Sequence, residues 1–328
     1  MKHITILVPE GDNNLSSITG TYKILMRANG YQKERGGSIK FYIQLAGLSA
    51  SVSFKEGLFS VQPHVTIGEI KKTDLIIIPS LSHNFEAAIQ ANWKITDWII
   101  RQRLKGAAIA SICTGAFLLA ATGLLEGKRC STHWAFHDAF QELFPDVILC
   151  RDKIITDEDG IYTNGGAYSF LHLNLYLVEK YFDRETAIFC SKVFQIEMDR
   201  EYQSPFIIFS KQKAHDDETI RQAQLYLEQH VDEQVSMERL AARFSVSRRN
   251  FDRRFIKATG STPGAYFQRL KIESAKKAFE TSTKNISEVM YATGYTDPYA
   301  FRELFKKVTG LSPSAYRSRY NKSALNDR

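Results

Sequence analysis

The chain has 328 residues, more than one typical domain, and this length favours two domains. Hydrophobic residues make up 44% of the sequence and charged residues 24%, which is ordinary globular composition and sufficient for sizeable cores. The first nine residues hold too short an apolar run for a signal peptide, and the longest other runs, such as residues 75–79, have the length of strands. We therefore expect a cytoplasmic protein without a membrane partner.

The net charge of +7 is distributed unevenly along the chain. Residues 239–322 contain 18 Lys and Arg against 6 Asp and Glu, a net charge of +12, whereas the remainder holds 25 against 30, a net charge of −5. A strongly basic segment is expected to bind a polyanion. A solvated, lysine-rich helical surface is the alternative that charge alone leaves open.

The cysteines are widely scattered and show no metal-ligand spacing. They are Cys113, Cys130, Cys150 and Cys190. We expect reduced thiols in a reducing compartment, and neither a metal site nor a cofactor.

Short β-rich runs alternate with helical patterns from residue 3 to about residue 165. Residues 4–8, 40–45, 75–78 and 107–111 are nearly continuously apolar or β-branched, as strands buried on both faces should be. Helical patterns fall at residues 18–28, 93–104 and 116–122. This alternation predicts a parallel sheet with helices on both faces.

Shorter runs predict two hairpins, formed by residues 51–54 with 58–60 and by residues 153–156 with 161–163. Helical runs follow at residues 168–181 and 184–200. The pattern breaks near Gln203-Ser204-Pro205, and no strand pattern occurs after Asp216. We predict an α/β domain at residues 1–205, a linker at 206–217 and an all-helical domain at 218–328.

The helical domain contains an internal repeat with an offset of 50 residues. Phe251, Phe255, Gly260, Pro263 and Tyr266 match Phe301, Phe305, Gly310, Pro313 and Tyr316. Each copy has the pattern of a short helix, a tight turn and a second helix. The first turn falls at residues 245–247, and the second, around residues 294–297, is one residue longer. Capping residues stand where these helices would begin or end, at Ser236, Asn285 with Glu288, Gly260, Gly310, Thr262-Pro263 and Ser312-Pro313.

The second helix of the first copy has a basic face. Phe251 and Phe255 are four residues apart and should face the core. The opposite face then carries Arg249, Arg253 and Lys257, flanked by Arg248 and Arg254. A major groove admits such a helix, because arginine can pair with guanine and with phosphates. The repeat therefore predicts double-stranded DNA as a partner.

Residues 237–319 resemble the AraC/XylS DNA-binding domain over its full length. The first copy carries the pattern L-A-x-x-F-x-V-S-x-x-x-F-x-x-x-F, and the second carries G-Y-x-D-x-x-x-F-x-x-x-F-K-K-x-x-G-x-S-P-x-x-Y-R. The resemblance implies a long helix at residues 263–279 between two units whose recognition helices enter successive major-groove segments. It implies that Arg249, Asp252 and Arg253 read bases from the first helix, and that Pro298, Tyr299 and Glu303 read bases from the second. We expect further DNA contacts from Arg248, Lys257 and Lys306.

The second copy departs from the family pattern at two positions. Met290 stands where Ala is usual, and Glu303 stands where a basic or neutral residue is more common. A carboxylate repels phosphate unless it accepts a hydrogen bond from a cytosine amine. We expect the first copy to supply most of the affinity for DNA.

Residues 107–116 have the pattern of a strand, a sharp turn and a helix. Ser111, two residues before Cys113, and Gly115, two residues after it, give the spacing of a nucleophile elbow. A cysteine at a helix N-terminus is expected to have a lowered pKa.

Residues 111–134 resemble the PfpI/glutamine-amidotransferase-like domain, in the GlxA-like version that is fused to AraC-type regulators. The residues that carry this resemblance are C-T-G-A-F-x-L-A-A-x-G-L-L-x-G, then Thr132-His133-Trp134, with Thr163-Asn164-Gly165-Gly166 before a long helix. The resemblance spans roughly residues 3–200. It implies a flavodoxin-like, class I glutamine amidotransferase-like sandwich that senses a ligand and dimerises.

The elbow lacks the groups that cysteine catalysis requires. Enzymatic relatives carry His directly after the cysteine, where this chain has Thr114, and residues 15–20 supply no carboxylate. We therefore favour a small-molecule pocket walled by Cys113, Thr114, His133 and Gly166 and expect no enzyme activity. A structural role for His133 remains open. So do a PfpI-type cysteine hydrolase or amidase and a thiol redox sensor at Cys113.

The resemblances also imply partners. Relatives dimerise through the α/β domain, so we expect a homodimer that aligns DNA-binding domains on repeated half-sites. An unidentified small-molecule effector and RNA polymerase are further expected partners.

Overall fold

The apolar runs of the first 200 residues pair into one seven-stranded sheet. The computed structural model describes residues 1–38, 40–82, 84–198, 200–207, 209, 213 and 215–321. They divide into two compact units, Met1–Gln203 and Ser204–Arg328. None of the described helices combines the length and apolar character needed to cross a membrane.

The strands of the first unit lie in one large sheet and two small ones. They are β1 (Lys2–Val8), β2 (Phe41–Gly47), β3 (Val52–Phe54), β4 (Phe59–Val61), β5 (Val65–Thr66), β6 (Leu75–Ile78), β7 (Ala108–Ile112), β8 (Arg129–Cys130), β9 (Ile148–Leu149), β10 (Ile155–Glu158) and β11 (Ile161–Asn164). The large sheet has the order β10-β11-β7-β6-β1-β2-β5. Its pairs are parallel except β10 with β11. From β1 the chain continues to β2 and β5 on one side of the sheet, and it then crosses to β6 and β7 on the other side. The boundary between β1 and β6 is therefore the topological switch point, where open α/β sheets bind ligands.

Helices cover both faces of this sheet. They are α1 (Leu15–Glu34), α2 (Phe85–Ala91), α3 (Trp93–Leu104), α4 (Gly115–Ala120), α5 (His137–Leu143), α6 (Phe170–Tyr181) and α7 (Arg184–Phe194). Side chains alternate across the sheet, so that Ile6 belongs to one apolar core and Leu7 to the other. The predicted parallel sheet with two covered faces is therefore confirmed.

The predicted elements of the first unit differ from the observed ones mainly at their ends. The strand predicted at residues 75–78 and the helix predicted at 93–104 have the observed bounds. The helix predicted at 184–200 is wrong beyond Phe194, because Gln195 takes a left-handed φ of 54° and ends the helix. Of the two predicted hairpins, β10–β11 joins the edge of the large sheet, whereas β3–β4 forms a separate two-stranded sheet.

The described residues of the second unit form helices joined by turns and loops, and none of them lies in a strand. Its helices are α8 (Glu218–Gln229), α9 (Met237–Arg243), α10 (Arg248–Thr259), α11 (Pro263–Thr281), α12 (Ile286–Ala292), α13 (Pro298–Thr309) and α14 (Pro313–Tyr320). It contains two apolar cores, one around Phe251 and Phe255 and one around Phe301 and Phe305. The long helix α11 contributes residues to both cores, so it joins the two copies of the repeat.

The predicted linker at residues 206–217 lies only partly within the described residues. The Phe209 ring meets Tyr266 edge to face, and Lys213 forms an ion pair with Glu228 at 2.9 Å. These contacts hold parts of the segment against the helical unit.

Candidate ligand cavity and nucleic-acid interface

The turn after β7 has the backbone geometry of an elbow. Cys113 takes a left-handed φ of 55°, which L-residues rarely adopt and which raises its side chain above the end of the strand. A Cβ at Gly115 would lie 2.5 Å from the carbonyl oxygen of Pro79, so only glycine fits where α4 begins. The strand, turn and helix predicted around Cys113 are present.

Burial, not the helix terminus, dominates the chemistry of the Cys113 thiol. The residue is 3% exposed, and desolvation raises its pKa. Hydrogen bonds from Ser80 and Thr114 oppose this effect but do not reverse it. The prediction of a lowered pKa at Cys113 was therefore wrong, because the thiolate would lose its hydration.

Thr114 stands where catalytic relatives are expected to carry the base. Its hydroxyl donates to the carbonyl oxygen of Leu81 at 2.7 Å and lies 2.8 Å from the hydroxyl of Ser80. A hydroxyl cannot accept a proton from the thiol as a histidine would. Thr114 instead connects the elbow to the loop after β6.

A cavity of about 710 Å³ opens at the carboxyl ends of the central strands. Its walls come from the loops after β1, β6, β7 and β11, from the first turns of α1, from the β3–β4 hairpin and from residues 133–136. Phe54, Phe59 and Phe136 give it aromatic surface, and Lys55 and His133 are its basic side chains. Of the described residues in its walls, none is acidic. This volume suits a small organic ligand.

His133 is both a cavity wall and a structural cap. Its Nδ1 accepts a hydrogen bond from the backbone N–H of Ala135 at 3.1 Å, at the start of a 3-10 turn over Trp134–Phe136. Its ring also lies 5.6 Å from that of Phe136. The two interpretations of His133, pocket wall and structural histidine, are therefore compatible.

Gly166 is not among the cavity walls, although its neighbour Ala167 is. It is buried with a φ of +92°, and a Cβ there would lie 2.7 Å from Ser169 Oγ. The left-handed backbone and the nearby Ser169 side chain account for the glycine at this position. Of the four residues expected to wall the pocket, Cys113, Thr114 and His133 line this cavity, and Gly166 does not.

A second cavity, of about 370 Å³, is lined by residues of β10, α6 and the segment before Gln203. Lys153, His172 and Arg184 are among its walls, whereas the elbow residues are not. We place the candidate ligand site in the larger cavity, because that one lies at the switch point.

Sequence reasoning missed two features near the larger cavity. The β3–β4 hairpin was predicted, but its place at the cavity was not. Gln203 was taken only as a break in the pattern, yet it is 1% exposed, and its amide donates to the carbonyl oxygens of Thr132 at 3.1 Å and Lys153 at 3.0 Å. Thr132 in turn donates from Oγ1 to the carbonyl oxygen of Cys113 at 2.9 Å. Hydrogen bonds thus connect the end of the first unit to the elbow.

In the second unit, helices α9 and α10 form the first helix-turn-helix. Ser236 and Ser247 cap the two helices, and Gly260 ends α10 with a left-handed φ of 69°. Phe251 and Phe255 are fully buried, as predicted. The side chains of Arg249, Arg253 and Lys257 are exposed together on the outer face.

Several polar residues of α10 are engaged within the protein. Arg248 Nε lies 2.8 Å and 2.9 Å from the two carboxylate oxygens of Asp252, and Arg248 also pairs with Glu238. Arg254 donates two hydrogen bonds to Asp217, at 2.6 Å and 2.8 Å. The Asp252 carboxylate is thus already neutralised by a neighbour on its own helix. The DNA contacts predicted for Arg248 and Asp252 remain predictions.

Helices α12 and α13 form the second helix-turn-helix. Asn285 and Glu288 make the predicted reciprocal capping box, with bonds of 2.9 Å and 2.6 Å. Five residues separate α12 from α13, against four between α9 and α10, so the longer second turn is confirmed. Met290 is 2% exposed and packs in the second core.

The outer face of α13 is more basic than predicted. Pro298, Tyr299, Glu303 and Lys306 are exposed, and Tyr299 is 74% exposed. Arg302 and Lys307 are exposed on the same helix and were not singled out in the sequence. Arg302 lies four residues before Lys306, a spacing that places both on one face of a helix, so the sequence could have signalled a basic stripe.

The fold and the site define an α/β unit of flavodoxin-like topology followed by a double helix-turn-helix unit. Residues 17–180 match the DJ-1/PfpI family, and residues 240–319 match a helix-turn-helix domain. Because the first match covers half of the chain, the chain belongs to the DJ-1/PfpI family. Both resemblances noted in the sequence, to PfpI-like domains and to AraC-type regulators, are confirmed.

Among curated proteins, the chain is 26% identical over 213 residues to the HTH-type transcriptional regulator GbdR of Pseudomonas aeruginosa, covering 65% of this chain and 58% of that protein. It is 26% identical over 219 residues to the HTH-type transcriptional regulator GlxA of Rhizobium meliloti, covering 65% and 66%. It is 27% identical over 146 residues to isonitrile hydratase of Pseudomonas putida, covering 44% and 60%. The chain therefore spans less than two thirds of the length of the first of these relatives.

Among solved structures, a THiJ/PfpI family protein from Pseudomonas syringae is similar with a TM-score of 0.51 and 20% identity. The match covers 74% of this chain and 87% of that one. At this identity the similarity supports the fold.

Proposed function

We propose that this chain is a sequence-specific DNA-binding transcription regulator whose α/β unit binds a small-molecule effector. The duplicated helix-turn-helix carries this proposal, because its two outer helices expose basic side chains from capped, well-packed units. The similarity to transcriptional regulators named GbdR and GlxA supports the same function.

The proposed effector site is the cavity walled by Cys113, Thr114 and His133. The cavity has a volume of about 710 Å³. A small metabolite would fill much of this volume, whereas a ligand the size of water would leave most of it empty. The effector would act by binding one conformation of the α/β unit more tightly than another. We further propose that the protein acts in the cytoplasm as a homodimer formed through the α/β unit, with RNA polymerase as a partner.

In-vitro selection of DNA sites by the full-length protein tests the DNA claim. We expect enrichment of a site with two subsites about one helical turn apart. A selected pool that remains random at low salt and at physiological salt would contradict the proposal, because non-specific binding by the basic surface alone enriches no sequence.

A second candidate function is cysteine-dependent enzyme activity. The similarity to isonitrile hydratase and the left-handed backbone of Cys113 favour it. The raised pKa of the Cys113 thiol and the hydroxyl at Thr114 disfavour it. We therefore propose that Cys113 does not act as a catalytic nucleophile.

Turnover by the full-length protein distinguishes the two functions. We expect no cysteine-dependent conversion of isonitrile or amide substrates. Conversion that disappears in Cys113→Ala would establish cysteine-dependent enzyme activity.

A separate experiment tests the thiol redox alternative. The DNA affinity of Cys113→Ala should respond to peroxide as that of the wild type does. A response confined to the wild type would establish a redox sensor at Cys113.

A further inference from the structure

Helix α11 carries a buried lysine between the two helix-turn-helix copies. Lys271 is 4% exposed, although lysine is rarely buried without partners. Its Nζ donates to the carbonyl oxygen of Glu233 at 2.7 Å, in the segment before α9. It also donates to the carbonyl oxygen of Thr293 at 2.9 Å, immediately after α12. One ammonium group therefore binds the backbone of both copies.

Two aromatic rings and the carboxylate of Asp232 also act on this ammonium. Nζ lies 4.8 Å from the ring centroid of Phe267 and 5.4 Å from that of Tyr295. Phe267 packs with the first core and Tyr295 with the second. Two carbonyl acceptors and two aromatic faces offset the cost of removing the charge from water.

The two backbone segments that meet at Lys271 are in close contact. Gly294 has a φ of +72°, and a Cβ there would lie 2.5 Å from both the carbonyl oxygen of Asp232 and Lys271 Nζ. The amide of Gln234 donates to the carbonyl oxygen of Gly294 at 2.6 Å. The turn of the second copy therefore fits against residues 232–234 of the first.

Lys271 is not needed to close either apolar core. The cores around Phe251 and Phe301 are separate clusters. The first is formed by apolar side chains of α8, of its own copy and of α11, and the second by those of its own copy, of α11 and of α14. Loss of the ammonium would leave both cores intact while freeing the contact between the copies. Their relative orientation, more than their separate folding, depends on this residue.

We propose that Lys271 is a positioning residue that holds α10 and α13 at one separation and rotation, and thereby selects the number of base pairs between the two DNA subsites. This inference rests on the proposed function. Each added base pair moves a subsite along and around the duplex, so a rigid pair of recognition helices fits one spacing and a loosened pair fits several.

The test uses full-length protein and the DNA site obtained by in-vitro selection, with the spacing between subsites changed by one base pair in each direction. We expect the wild type to bind the altered spacings about 100-fold more weakly. We expect Lys271→Met to bind them no more than about tenfold more weakly than its best site. Its affinity for a single subsite should equal that of the wild type.

Lys276 provides a matched control on the same helix. It is 6% exposed, and its Nζ donates to the carbonyl oxygen of Ile207 and to Glu273, both at 2.7 Å. Neither partner belongs to a helix-turn-helix copy. Lys276→Met should therefore keep the wild-type preference for spacing while also losing a buried ammonium.

Retention of the wild-type spacing preference by a folded Lys271→Met would overturn the inference and leave the DNA-binding proposal standing. Absence of any selected site for the wild type would overturn both. If Lys271→Met does not fold, Gln234→Ala decides, because it removes the exposed bond to Gly294 from the same junction. A Gln234→Ala protein that discriminates spacings as sharply as the wild type would then refute the inference.

Discussion

The thiol of Cys113 occupies the position of a nucleophile, but its surroundings keep it protonated. The backbone conformation follows from the small residues around the turn, and these are visible in the sequence. The pKa depends on burial and on the hydroxyls of Ser80 and Thr114, which lie just after two different strands, β6 and β7. The spacing of residues in the sequence could therefore predict the turn. The pKa of the thiol could not be predicted in this way, because it depends on how the loops pack in the folded chain.

Arg253 offers a residue-level test of base recognition. It is exposed on α10 and donates one hydrogen bond to Asn250 at 2.9 Å, which leaves the rest of its guanidinium available. We expect Arg253→Ala to weaken specific binding by about 1–3 kcal/mol and to relax one base preference, measured by binding to single-base variants of the selected site. An equal loss on all sequences would make Arg253 a phosphate contact.

Arg254 is the matched control for this substitution. It lies next to Arg253 but is paired with Asp217. Arg254→Ala should lower the unfolding free energy by about 1 kcal/mol or less and leave base preference unchanged.

His137 gives the α/β unit a dependence on pH. It is 5% exposed, and burial together with the nearby Arg151 lowers its pKa to about 4. The unfolded chain therefore binds a proton near pH 6.5 that the folded chain refuses until about pH 4, so stability falls as the pH decreases between these values. We expect a loss of about 2 kcal/mol between pH 7 and pH 5.

The variant His137→Gln isolates this contribution. Denaturant unfolding at pH 7 and pH 5 should show a smaller loss for the variant than for the wild type. Equal losses for the two proteins would mean that other groups cause the pH dependence.

At the scale of elements, two left-handed glycines at different positions of the repeat, Gly260 after α10 and Gly294 in the turn before α13, test the cost of a side chain. Gly260 and Gly294 have φ values of 69° and 72°, but no atom lies within 4 Å of a Cβ at Gly260. A Cβ at Gly294 would overlap the Asp232 carbonyl. We expect Gly260→Ala to cost about 1–2 kcal/mol and Gly294→Ala to cost at least about 3 kcal/mol, measured by denaturant unfolding.

The comparison separates backbone strain from contact between the copies. Equal costs for the two alanines would show that the residue 232–234 segment can move away from Gly294. That outcome would also argue against a tight junction around Lys271.

The elements themselves were largely predictable because their signals are local. Ser236, Asn285 and Thr262 accept hydrogen bonds from backbone groups three residues on, so the sequence shows where helices α9, α12 and α11 begin. The end of α7 was mispredicted because Gln195 carries no comparable signal. Its left-handed conformation places the following Ile196 in the core of the α/β unit.

At the scale of the whole molecule, the uneven charge predicts a strong salt dependence of DNA binding. Six exposed cations lie on α10 and α13, namely Arg249, Arg253, Lys257, Arg302, Lys306 and Lys307. If about six phosphates are neutralised, the logarithm of the binding constant should fall with the logarithm of salt concentration with a slope of about −5. Titrations at 50–200 mM salt measure this slope.

Single substitutions refine this prediction. Lys306→Ala should make the slope less steep by about 1 if its ammonium contacts a phosphate. Glu303→Gln should strengthen binding to all sequences unless the carboxylate accepts from a cytosine. An unchanged slope in Lys306→Ala would place that lysine away from the DNA.

Three features could be predicted from the sequence by itself: the division into an α/β and an all-helical domain, the repeated helix-turn-helix and the elbow at Cys113. Periodicity, helix capping and glycine placement act over a few residues, so these features leave local signals in the sequence. Only the tertiary structure decided which of these residues meet. The cavity walls come from loops far apart in the chain, Arg248 is paired with Asp252, and Lys271 lies between copies whose contact no local pattern specifies. Burial and pairing depend on distances between distant segments, and those distances exist only in the folded chain.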